Sequence, residues 1–213
     1  MRRALPTGAE VRLTGSSERG TVVCVNGGQG AEVEGSWSAS LEWLVRRLAP
    51  RFPRLGFVEV RYRIKSWHRL DWCIEDARAA VELAGGTRTL LLGFSMGGAV
   101  AIGSADMPGV AGVVGLAPWI PERLSLAPLR GKRLDVLHGS LDRWLPGIPG
   151  VSPASSRRGF DRALALGVPG SYGIIAGAVH GIALRPHWGR ALPLPRAHAW
   201  ERAVAAQLER FAG

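Results

Sequence analysis

The segment Thr89 to Ile102, TLLLGFSMGGAVAI, presents a serine in a setting that suits nucleophilic chemistry. An apolar, strand-like run (Leu90, Leu91, Leu92) leads into Gly93-Phe94-Ser95-Met96-Gly97, and an Ala/Val/Ile-rich helical pattern follows. In a G-x-S-x-G element between strand and helix, the serine sits on a sharp, strained turn with its hydroxyl raised above the strand ends. The flanking glycines remove the Cβ atoms that would collide there. The free N–H groups and positive dipole end of the following helix suit a developing oxyanion. The alternative is a glycine-rich helix start in which Ser95 is only an N-cap.

A serine hydroxyl needs an imidazole to take its proton, and the imidazole needs a carboxylate to hold its tautomer. In parallel α/β sheets such groups collect at the carboxyl ends of strands. In DVLHGSLDRWLP, Asp135 to Pro146, Asp135 opens a strand and Asp142 lies just beyond its end. At ~3.3 Å per residue the two stand up to roughly 20 Å apart, so Asp142 is the one on the edge of Ser95. A turn or helix-capping aspartate is the other reading. Of the five histidines, His68 precedes the acid and breaks the chain order Ser, Asp, His. His138 falls within or at the end of a strand, where it packs or holds a loop, and His198 opens the final helix. His180, in IIAGAVHGIALR after the last strand, is the expected base, with His187 in reserve.

Two oxyanion donors are expected: the backbone N–H of Met96, directly after the serine, and one from the loop VNGGQG, Val25 to Gly30. Gly28 is the first choice there and Gly27 the second. That loop lacks the G-K-[ST] of a phosphate cradle and the G-x-G-x-x-G of a dinucleotide site. Trp119 and Trp144 follow strands near the same edge; they line an acyl pocket or simply pack. Arg143 and Arg185 lie near the acid and base, and either attract an anionic substrate or are solvated surface arginines. No paired His or Cys stands at ligand spacing, so neither a metal nor a cofactor is expected.

The elements that must position these residues alternate. Strands are expected near Glu10 to Leu13, Thr21 to Asn26, Phe57 to Tyr62, Leu90 to Gly93, Val110 to Leu116, from Asp135 through His138, and Ser171 to Ala176. Between them run helical stripes: Trp37, Leu41, Leu44, Val45 and Leu48; then Cys73, Ala77, Ala80, Val81 and Ala84, closed by Gly85-Gly86; then a helix to about Ala105. Ser152-Pro153 reads as N-cap and first-turn proline of a helix ended by Gly167. Trp200, Val204, Leu208 and Phe211 face inward from a terminal helix. The fold class is α/β with a mostly parallel sheet, in one domain spanning 1–213. The proline-punctuated stretch 118–132 has room only for a short lid-like insertion.

The chain has 213 residues, 46% of them hydrophobic, and a formal net charge of +10 carried almost wholly by arginine, Lys65 and Lys132 being the only lysines. The arginines are dispersed and no cluster interleaves with aromatics, so no nucleic-acid partner is expected. No apolar run reaches the ~18 residues of a membrane span. The N-terminal MRRALPTGAE has no apolar core of a signal peptide. Cys24 and Cys73 read as buried free thiols, in keeping with a cytoplasmic location.

GFSMGG (Gly93 to Gly98), HGSLDRWLP (His138 to Pro146) and GAVHGIAL (Gly177 to Leu184) stand in the order and rough spacing of the α/β-hydrolase superfamily. From about Thr21 onward the chain resembles a small, nearly capless member, similar to dienelactone-hydrolase-like and carboxylesterase-like proteins. The resemblance implies Ser95 as nucleophile, Asp142 as acid, His180 as base, and the amides of Met96 and Gly28 as oxyanion hole. Many relatives carry His-Gly where this chain has Asn26-Gly27, and Val179 stands where Asp or Gly is usual. A dienelactone hydrolase proper has a cysteine nucleophile, so the serine speaks against that activity. The expected function is a serine hydrolase acting on a small ester or thioester through an acyl-enzyme. An acyltransferase or perhydrolase on the same triad, or a non-catalytic binding protein retaining the fold, are the alternatives. The oligomeric state is not readable from the sequence.

Overall fold

The near-continuous apolar runs of the chain form the strands of one sheet, as expected where both faces are covered by helices. The computed structural model describes residues 1–86, 88–143, 150–187 and 189–213. Its eight sheet strands are β1 (Arg2–Ala4), β2 (Glu10–Gly15), β3 (Thr21–Val25), β4 (Gly56–Arg61), β5 (Thr89–Phe94), β6 (Val110–Leu116), β7 (Arg133–Gly139) and β8 (Gly170–Ile175). They lie side by side in the order β1-β2-β4-β3-β5-β6-β7-β8. β2 pairs antiparallel with β1 and with β4. All pairings from β4 through β8 are parallel.

The helices are α1 (Ala39–Leu48), α2 (Leu70–Leu83), α3 (Met96–Gly103), α4 (Pro153–Ala165) and α5 (Ala197–Ala212). Successive strand residues face opposite ways, so β3 divides its side chains between two cores. Val23 and Val25 join Cys73, Ala77 and Val81 of α2, Val100 of α3 and Phe160 of α4. Val22 and Cys24 join Leu41, Leu44 and Leu48 of α1 and Trp200, Val204 and Leu208 of α5. α3 is buried along nearly its whole surface, which explains why its sequence is apolar on every side.

Local signals fix the starts of α1 and α4. Ser38 caps α1 by accepting from Leu41 N at 3.3 Å, and Ser152 caps α4 ahead of Pro153 by accepting from Ser155 N at 3.2 Å. Trp37, expected on the inward stripe of α1, precedes that helix, and its ring lies 4.8 Å from the Arg12 guanidinium carbon. β1 was not expected: its sequence Arg-Arg-Ala is exposed throughout and shows no apolar period. Two short antiparallel pairs, Val33–Glu34 with Ile64–Lys65 and Ala183–Leu184 with Leu192–Pro193, were likewise not expected. In the stretch 118–132, Ile120, Leu126 and Leu129 are buried. Arg162 of α4 ties it down by donating to the carbonyls of Pro121 and Leu124, each at 3.0 Å. Among the described residues no helix is long and apolar enough to cross a membrane.

Candidate active site

Ser95 joins β5 to α3 with φ 56° and ψ −120°, a region that non-glycine residues occupy only under constraint from their surroundings. The constraint is visible. Ser95 N–H donates to Leu116 O of β6, and Ser95 O accepts from Gly98 N and Trp119 N, all at 2.9 Å. A Cβ on Gly93 would fall on the Gly97 carbonyl, and one on Gly97 would fall on the Val25 carbonyl. The Ser95 hydroxyl makes no capping bond to its helix, which excludes the N-cap reading. Its Oγ lies 2.9 Å from His180 Nε2.

Asp142 and His180 arrive on neighbouring loops. β7 and β8 are parallel partners, and beyond their ends the chains stay joined: Ser140 N donates to Ile175 O at 3.0 Å, Leu141 N to Ala178 O at 2.9 Å, and Gly177 N to Ser140 Oγ at 2.9 Å. The loop after β8 is held further on by Ser40 of α1, whose Oγ accepts from Ile182 N at 3.0 Å and Ala183 N at 3.2 Å. His180 is suspended between these clamps. Its Nδ1 lies 2.7 Å from Asp142 Oδ2. A carboxylate can only accept, so the proton sits on Nδ1 and leaves Nε2 free to take the serine proton. The Phe94 ring tilts against the imidazole at 5.2 Å between centroids.

Asp142 has a fully buried side chain, yet its carboxyl is held below the ordinary value of 3.8. Desolvation raises it; hydrogen bonds from His138 and His180, with their charges, pull it down and prevail. His138 Nε2 lies 2.9 Å from Asp142 Oδ2, and Val151 N donates to Oδ1 at 3.1 Å. Asp142 thus serves neither as a simple turn residue nor as a helix cap. Asp135 lies at the other end of β7, paired with Arg133 at 2.7 Å.

The glycine loop after β3 stands directly beside the serine. Asn26 organises it: Nδ2 donates to Ser36 O, Oδ1 accepts from Gly27 N at 2.7 Å, and the backbone O accepts from Tyr62 Oη at 2.9 Å. The Gly27 amide is therefore occupied. The amides of Gly28 and Met96 have no hydrogen-bond acceptor among the described residues.

A cavity of about 380 Å³ opens over Ser95, lined by Gly28, Trp67, His68, Met96, Trp119 and Arg123, among others. Trp119 lines this cavity. Trp144 falls in 144–149, outside the described residues. Arg185 pairs with Glu42 at 2.7 Å, and Arg143 is exposed and does not line the cavity; the cavity arginine is Arg123. Of the other histidines, His187 is exposed and His198 pairs with Glu201 at 3.0 Å. Trp67 and Arg123 were missed, and His68, set aside as a base on chain order, lines the cavity instead. Trp67 N donates to Gln29 O at 3.1 Å, so the tryptophan belongs to the glycine loop's surroundings. Its position after β4, at the same sheet edge as Ser95, was the available signal.

With this sheet order and these edge loops, the chain has the α/β-hydrolase fold. Solved structures agree. It is similar to the carboxylesterase Cest-2923 from Lactobacillus plantarum, with TM-score 0.71 and 15% identity over 99% of this chain and 96% of that one. It is similar to an alpha-beta serine hydrolase homologue from Coxiella burnetii, with TM-score 0.68 and 16% identity over 98% and 96%. For the monoacylglycerol lipase of Paleococcus ferrophilus the values are 0.66 and 17% over 94% and 98%. No family model matches the sequence, and no curated protein matches it.

Proposed function

We propose that the protein is a serine hydrolase that cleaves a small carboxylic ester or thioester through an acyl-enzyme. The observation that carries this reading is the hydrogen-bonded line Ser95 Oγ, His180, Asp142, with links of 2.9 and 2.7 Å. Ser95 Oγ attacks the acyl carbonyl while His180 Nε2 takes its proton, and Asp142 stabilises the resulting imidazolium. The carbonyl oxygen, now an oxyanion, accepts from the Met96 and Gly28 amides. Collapse expels the alcohol or thiol, which takes the proton from His180. Water enters, gives a proton to His180 and attacks the acyl carbon, and the carboxylic acid leaves as Ser95 Oγ recovers its proton.

The cavity's tryptophan walls suit an apolar acyl or alcohol group of modest size. The partly solvent-open serine and histidine favour water as acceptor over a sequestered second substrate. The test is labelling with a fluorophosphonate probe, followed by turnover of a chain-length series of model esters and acyl thioesters. Wild type is expected to label and turn over, Ser95→Ala to do neither. Equal labelling of the two would refute the reading.

A further inference from the structure

We propose that His138 is a positioning residue for catalysis, whose buried Nε2–H fixes the Asp142 carboxylate on the line to His180 and takes up part of its charge. This rests on the Ser95–His180–Asp142 reading above. His138 and Asp142 both have fully buried side chains. The His138 Nε2 atom faces two acceptors, Asp142 Oδ2 at 2.9 Å and Val151 O at 2.8 Å. Only a protonated nitrogen satisfies them, so Nε2 donates whatever the charge of the ring.

The other side of the ring meets α4. His138 Nδ1 lies 2.7 Å from Ser156 Oγ of α4, and Ser156 Oγ lies 2.7 Å from Tyr172 Oη of β8. With a neutral ring, Ser156 Oγ donates to Nδ1 and Nε2–H donates to the carboxylate, while the Tyr172 hydroxyl donates to Pro153 O at 2.9 Å. The bonds from Ser156 to His138 and from His138 to Asp142 point the same way, and aligned bonds polarise one another. His180 Nδ1 donates to the same oxygen. The carboxylate oxygen therefore accepts from two imidazoles, one that lies 2.9 Å from Ser95 Oγ and one whose side chain is fully buried. Asp142, His180 and Tyr172 are the ionisable groups around His138, and Arg157 and Asp161 of α4 act on Tyr172 from outside.

Holding a buried carboxylate in one orientation needs donors on both oxygens. Without His138, Oδ2 is anchored by His180 alone, the histidine that must change charge in each turnover. The second imidazole supplies an anchor that stays in place.

The test compares His138→Gln, which retains an N–H donor at similar reach, with His138→Met, of the same length without one. Rates are normalised to the fraction of Ser95 titrated by a fluorophosphonate. For His138→Met, kcat is expected to fall by about tenfold to hundredfold, the scale of one lost hydrogen bond to a buried charge, with KM near wild type. The acid limb of its kcat/KM profile should move to higher pH, because a less neutralised carboxylate holds a proton on His180 more firmly. His138→Gln should recover most of both. Unchanged kcat per titrated site and an unmoved acid limb in His138→Met, even with a lowered Tm, would assign His138 to packing alone and overturn the proposal.

Should neither variant fold, ¹⁵N NMR of the wild-type histidine rings decides: the proposal requires a proton on Nε2 of His138, and an unprotonated Nε2 overturns it. Failure of the triad reading is separate. It appears as wild type labelling no better than Ser95→Ala, whatever His138 variants do.

Discussion

Gly28 stands against Met96 so closely that a methyl group on residue 28 would occupy the place of the Met96 sulfur. Met96 is only 2% exposed, so room for that methyl requires its sulfur and terminal methyl to move into the neighbouring cavity or the glycine loop to shift. The two residues proposed to supply the oxyanion amides are therefore packed as one unit, 68 positions apart in the chain (96 − 28).

Gly28→Ala should displace the loop or Met96. Overpacking of this kind costs about 1–3 kcal/mol in stability, and misplacing one oxyanion donor costs about 10²–10³ in kcat. Adding Met96→Ala opens space beneath residue 28 while keeping the Met96 backbone amide. The double variant should recover part of the lost kcat, so the two effects will not add. Parallel thermal unfolding and ester turnover of the single and double variants measure this.

Asp142→Asn should lower kcat by about 10⁴, because the amide favours the wrong His180 tautomer. It should also change stability in a pH-dependent way. The Asp142 carboxyl is depressed in the folded protein despite the opposing cost of burial, so the folded state binds this proton less readily than the unfolded chain does. Its contribution is complete above the unfolded value near 3.8 and is lost as pH falls through the folded value. Urea unfolding of wild type and variant should show a stability gap at neutral pH that narrows only below about pH 4.

Trp119→Ala should raise KM for long or aromatic acyl groups more than for acetyl, since it removes a wall of the cavity without touching the reacting atoms. Arg123 is exposed and makes no ion pair among the described residues. Its pull on a substrate carboxylate is limited by solvent to about 0.2–1 kcal/mol. Arg123→Gln should therefore lower kcat/KM for a hemisuccinate ester by no more than about fivefold and leave a neutral ester unaffected. Steady-state kinetics on matched charged and neutral esters test both variants.

Cys24 and Cys73 should be unreactive toward Ellman's reagent in the folded protein and titrate fully in denaturant. Both are fully buried. Burial pushes the Cys24 thiol well above its ordinary value and raises Cys73 to about 12, so neither supplies thiolate at neutral pH. Rapid labelling of either thiol without denaturant would contradict this packing.

The strand and helix pattern was readable because burial imposes periods of 2.0 and 3.6 on apolar residues. Val22 to Val25, the stripe of α5 and the Ser152-Pro153 start of α4 carry those marks plainly. So do Ser95, Asp142 and His180, each of which follows a strand at the edge where parallel sheets gather their ligands. What the linear chain left open was decided by the order of the strands. Trp67 and Arg123 come into the cavity because β4 and the stretch after β6 end at the same edge as β5, and pairing order is a property of the assembled sheet. His138 was assigned a packing or loop-holding place; its contact with Asp142 depends on how the chain turns after β7 and on α4 closing over it. Burial patterns are local and therefore written in the sequence, whereas hydrogen bonds between loops form only after the long-range pairings have brought them together.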